Sequence, residues 1–191
     1  MPMPVRQLLL FSVALTLAPF VQAHPLSAHH DVWLAMVHPF SGSDHLLAML
    51  VIGVWAGLAA PARRLVPPLS FMAALLVGAA LGTGGSALPA VEIAIALSLV
   101  LLGPLAARDA RLPMLVCGAV CVLAGLAHGY AHGVELAGQA GAALGFVLGS
   151  CVLHGLGFVL AQRANWAGYG ATLRTALSTS SLFGLGLLYL A

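Results

Sequence analysis

The sequence predicts an all-α integral membrane protein, a compact six-helix transmembrane bundle behind a cleaved N-terminal signal peptide. Three observations lead there. The 191 residues are 61% hydrophobic and only 6% charged, against about 25% charged in an ordinary soluble domain, and the mean hydropathy is +1.05. Apolar runs near the length of a spanning helix recur along the chain, divided by Gly, Pro, Arg or polar residues. The basic side chains are all arginine and, after Arg6, fall in alternate connections.

Residues 1–23 read as the signal peptide: Arg6 supplies a positive start, Leu8 to Leu17 an apolar centre, and "PFVQA" closes on the small residue Ala23. The apolar stretch is about ten residues, short of the roughly 20 that a span needs. Cleavage leaves His24-Pro25 as the new N-terminus. Residues 24–191 then form a single transmembrane domain, with spans at about 43–60, 67–84, 89–106, 112–131, 138–160 and 173–190. Arg63 and Arg64 lie between the first two spans, Arg108 and Arg111 between the third and fourth, and Arg163 and Arg174 between the fifth and sixth. "GTGGSALP" and "HGVELAG" carry none. By the positive-inside rule the arginine loops are cytoplasmic, so both termini are periplasmic in a multi-pass protein of the bacterial inner membrane. Gly141, Gly145 and Gly149, four residues apart, suit close approach of another helix.

Several functions are excluded by what the chain lacks. A net charge of +2 without a basic run argues against nucleic acid, and no glycine-lysine phosphate loop argues against an ATPase. Cys117, Cys121 and Cys151 are odd in number and sit inside apolar runs, so they form no disulfide framework. Self-association into a homo-oligomer stays open.

All the His, Asp and Glu residues apart from Asp109 and His154 fall on the external side of this topology. His38, Asp44 and His45 open the first span in "HPFSGSDH", Glu92 is one turn into the third, and His128, His132 and Glu135 close the fourth in "HGYAHGVE". On a helix, positions 128, 132 and 135 lie within about 60° of one another. His38 and His45 share a face only if the helix is continuous, which Pro39 and the Ser-Gly-Ser that follows put in doubt. A break would let backbone carbonyls face a cavity.

Neutral imidazoles with carboxylates suit borderline divalent metals: nickel, cobalt, zinc or copper(II). A lone histidine on an apolar face is ordinarily a packed core residue, but several at one membrane edge beside acids argue for metal handling. The candidate metal residues are therefore His38, Asp44, His45, His128, His132, Glu135 and Glu92, with His24 and His154 as weaker candidates. Two other classes fit less well. An intramembrane zinc metallohydrolase would hold tightly bound zinc, and no HExxH is present. A bis-histidine haem protein would show a Soret band.

The patterns "H-P-x-S-G-x-D-H", here His38 to His45, and "H-G-x-A-H-G-x-E", here His128 to Glu135, resemble those of the HupE/UreJ family of hydrogenase- and urease-accessory membrane proteins. His24-Pro25 is similar to the family's start, and Glu92 stands where the family carries an acid. The resemblance implies a permease for nickel or cobalt serving metalloenzyme maturation, with His38, Asp44, His45, His132 and Glu135 handling the ion. The metal is then the transported substrate, with no cofactor permanently bound. The expectation is an external capture site where spans one and four meet, with Glu92 nearby. An inner site of Cys117, Cys121, Cys151 and His154, about 24 Å from the outer end of span five at ~1.5 Å per residue, is left open.

Overall fold

The computed structural model describes residues 32–108, 111–135 and 140–190. The signal peptide, its cleavage point, His24, the rest of "HPLSAHHD" and Asp109 lie outside the described residues. Seven α-helices follow in order: α1 Val32–Val37, α2 Ser43–Leu58, α3 Val66–Gly82, α4 Pro89–Ala107, α5 Met114–Glu135, α6 Ala140–Trp166 and α7 Gly170–Leu190. Short 3-10 turns at His38–Phe40 and Pro61–Arg63 join α1 to α2 and α2 to α3. No strand occurs among the described residues.

Proline sets several starts. Pro67 lies in the first turn of α3 and Pro89 opens α4, where a missing N–H costs nothing and the fixed φ suits a helix. Gly84 and Gly168 reverse the chain before α4 and α7 with φ of 81° and 82°, a region open to glycine at little cost.

Among the described residues four segments, Pro61–Gly82, Pro89–Ala107, Met114–Glu135 and Ala142–Trp166, are long and apolar enough to cross a bilayer, and Ser43–Leu58 is a shorter apolar helix. Their outward faces carry Leu69, Leu81, Leu97, Leu115, Leu123, Leu144 and Leu156, all exposed. A soluble protein would solvate those faces with charge, whereas a bilayer covers them with lipid. Trp33 and Trp166 stand exposed near opposite ends of the bundle, the depth at which amphipathic rings meet both interfaces.

The helices pack as pairs that are not neighbours in sequence: α3 with α5, α2 with α6, and α4 with α7. Glycine brings all three pairs into backbone contact, with Gly184 of α7 set against Ala96 O of α4. A Cβ on Gly129 or Gly133 would run into the Leu75 or Ala79 carbonyl oxygen of α3, and one on Gly53 into the His154 carbonyl oxygen of α6. The predicted glycine stripe of α6 is used differently, because Gly145 and Gly149 seat the short α1, at Val32 and Met36.

Arginines close the opposite end. Arg174 donates to Ala107 O and Leu58 O, each at 3.1 Å, tying the last turns of α4 and α2 together. Arg63 donates to Leu112 O at 2.8 Å and Cys117 Sγ at 3.0 Å. The arginine-bearing connections thus share one end of the bundle, away from the histidine motifs.

Candidate functional site

The chain is broken between the two histidines of "HPFSGSDH". His38 opens a 3-10 turn, Gly42 is extended (φ −88°, ψ 119°), and α2 starts at Ser43. Two of the carbonyls at the break are already engaged: Ser41 N and Oγ both donate to His38 O, at 2.9 and 2.7 Å, and Leu46 N donates to Gly42 O. What the break does is turn His38 outward and across, over the end of α5. There its Nε2–H donates to Glu135 Oε2 at 3.0 Å.

α5 presents the two residue types of its motif, histidine and glycine, on separate faces. His128 and His132 are each followed by glycine. One residue is about 100° of rotation, so the glycines press on α3 while the imidazoles turn toward α2. His132 Nδ1–H donates to the same Glu135 oxygen at 3.1 Å. One ligand atom from each of His38, His132 and Glu135 lies within 4.8 Å of the others. Behind this mouth the rings meet edge to face in an inward series: His38 with His132 at 5.0 Å between centroids, His132 with His45 at 4.1 Å, and His45 with His128 at 4.7 Å.

Hydrogen bonds fix which nitrogen each ring leaves bare. Asp44 Oδ1 lies 3.1 Å from His45 Nδ1, and an ionised carboxylate only accepts. The proton therefore sits on Nδ1, leaving the Nε2 lone pair. By the same rule His132 keeps its lone pair on Nε2, opposite the Glu135 bond. For His128 the partner is Ser98 Oγ, 3.1 Å from Nε2. With Ser98 giving its one proton to Ile95 O at 2.7 Å, it accepts from His128 Nε2–H, and the lone pair of that tautomer is on Nδ1. His45 Nε2, His132 Nε2 and His128 Nδ1 are all buried without a hydrogen-bond partner. Buried polar atoms are ordinarily satisfied. Here each bare nitrogen faces away from an acceptor that orients its ring, the arrangement by which proteins prepare imidazole for a metal.

The structure thus brings His38, Asp44, His45, His128, His132 and Glu135 together at one end of the bundle. Glu92 stands apart. It is exposed on the first turn of α4, near enough for its charge to act on Asp44, His45 and Glu135, but it bonds to none of them among the described residues. His154 lies deeper, buried against Phe71. Of the thiols, Cys151 is exposed, while Cys117 and Cys121 are packed in the apolar core. Ser98 is the functional candidate that sequence reading passes over, and its only signal was a lone polar residue within "IALSLVLL".

A family model described as HupE / UreJ protein matches residues 12–187. Protein HupE of Rhizobium leguminosarum bv. viciae is 37% identical over 179 residues, covering 92% of this chain and 93% of its own length. No solved structure matches.

Proposed function

The chain belongs to the HupE/UreJ family, and on that premise we propose that it is a membrane permease carrying a divalent transition-metal ion, nickel or cobalt, inward across the cytoplasmic membrane for metalloenzyme maturation. One observation supports this reading most: a shared carboxylate and two imidazoles at the mouth lead to further buried imidazoles whose free nitrogens are held bare.

The ion meets His38, His132 and Glu135 first, the most accessible group, with the Glu135 side chain 44% exposed. Imidazole and carboxylate replace part of its water. Asp44, Glu135 and Glu92 offset a double positive charge that would otherwise be costly near the bilayer. Because His132 touches both His38 and His45, ligands can be exchanged one at a time without returning the ion to bulk water. A stepwise set of modest sites also permits release, which conduction requires as much as capture. Inward movement of two charges gains roughly 4.6 kcal/mol per 100 mV of membrane potential, so nucleotide hydrolysis is not needed.

The test is uptake of trace radioactive nickel and cobalt by cells lacking their own carriers, at matched membrane expression. Wild type accumulates at least one ion, and His38→Ala, Asp44→Ala and His132→Ala each lose it. Wild type that accumulates neither ion refutes the permease reading.

A further inference from the structure

Inward of the histidine cluster there is one aromatic ring that two histidines share. Phe71 of α3 is fully buried. Its ring centroid lies 5.8 Å from that of His128 and 5.6 Å from that of His154. His128 Nδ1 and His154 Nε2 are both buried without a hydrogen-bond partner.

Packing alone does not call for histidine at 154. A leucine there would fill the space, whereas a stranded imidazole nitrogen costs on the order of 1–3 kcal/mol. The position is also held firmly, since Gly53 admits the His154 backbone against α2 and Gly157 admits α2 one turn further along. A rigidly mounted, unsatisfied ionisable group at this depth is the kind of feature that marks an ion path.

Resting on the permease reading above, we propose that His154 is a second, inner ligand for the transported metal ion, and that Phe71 is the closed gate between it and His128. A phenyl ring offers no lone pair, and its apolar bulk leaves a partly hydrated dication no room. The ion therefore passes only when the ring turns aside. Beyond it, one imidazole with water completing the shell holds the ion weakly, which favours onward release.

The experiment uses the full chain purified in detergent with Co2+ as the probe, alongside uptake in cells. His154→Ala keeps cobalt binding at the outer cluster within about twofold but lowers uptake roughly ten- to hundred-fold, the range expected on losing a metal-site group. His154→Cys recovers part of that uptake. Combined with Phe71→Ala to remove the gate, it adds a thiolate-to-cobalt charge-transfer band that is absent when Phe71→Ala is combined with His154→Ala. A merely structural histidine would produce no such band. The proposal is overturned if His154→Ala transports like wild type, or if the cysteine double variant binds cobalt at the outer cluster yet shows no new band. The second criterion holds even if the alanine variant misfolds. Wild type that neither binds nor takes up cobalt or nickel removes the permease reading and this inference together. Wild type that does both, beside either overturning result, removes this inference alone.

Discussion

Replacing Ser98 with alanine deletes one oxygen atom and releases the His128 ring to present the wrong nitrogen. Ser98 Oγ accepts from His128 Nε2 at 3.1 Å while giving its own proton to Ile95 O at 2.7 Å, so the serine dictates the tautomer. Without it, a buried Nε2–H is left unpaired, at a cost of about 1–3 kcal/mol. The ring relieves that cost by moving its proton to Nδ1 or by rotating. Either response removes the lone pair now held bare on Nδ1. Loss of an outer partner of this kind lowers metal affinity about 10- to 100-fold, or roughly 1.4–2.8 kcal/mol at ~1.4 kcal/mol per decade. Titration of purified Ser98→Ala with Co2+ or Ni2+ measures the affinity, and uptake at trace and saturating metal shows whether the loss is confined to low concentration. Ser98→Thr keeps the hydroxyl and is expected to retain affinity. Alanine and threonine variants that both bind within about twofold of wild type would refute the tautomer argument.

Other consequences can be checked with the same preparations. Gly129→Ala drives a Cβ into the Leu75 carbonyl oxygen. It is expected to cost about 1–3 kcal/mol, read as a lower melting temperature, and to abolish uptake. Gly155→Ala meets nothing within 4 Å, so it is expected to be neutral or slightly stabilising. Arg174→Lys cannot reach both Ala107 O and Leu58 O, because an ammonium lacks the guanidinium fork. One charge-assisted bond is worth about 1.5–3 kcal/mol, discounted here because Arg174 is only half-buried, so the melting temperature falls while metal affinity holds. Saturating Ni2+, at about 100 times its dissociation constant, stabilises wild type by ~2.7 kcal/mol, and His132→Ala loses that shift.

Much of the site was readable because its signals are local. The His-Gly-x-x-His-Gly-x-Glu spacing fixes a shared helical face whatever α5 packs against, and the ring contacts of His128 and His132 with His45 bear that out. The doubt over continuity at Pro39 and Gly42 was also local, since proline and an extended glycine end a helix on their own account. What escaped depends on distant partners. Ser98 looks like any serine in a span, and its role exists only because His128, 30 residues later, comes to rest against it. α1 spans 6 residues, too few to leave a periodic signature, and it is held by Gly145 and Gly149 of α6. The glycine stripe of α5 was hidden among histidines, because spacing alone does not say which face meets α3.

The pairing of helices has a bearing on how an ion could leave. α2 is joined to α6 backbone to backbone, and the His38 turn and α1 rest on α6 as well, so His38, Asp44, His45 and His154 ride on one rigid unit. α3 and α5 form the other, carrying Phe71, His128, His132 and Glu135. Within each unit lies one bond that orients a ring, Asp44 to His45 and Glu135 to His132, while Ser98 of α4 orients His128 from outside both. Across the seam lie the meetings of one ligand with another: His38 with Glu135, His45 with His128 and His132, and Phe71 with His154. A small slide of one unit past the other, of the shear type that packed helices permit, would lower the number of ligands around an ion without spoiling the aim of His45 or His132. For those two rings grip and alignment are carried by different joints, so on the permease reading the hold loosens and the same site re-forms on the return stroke.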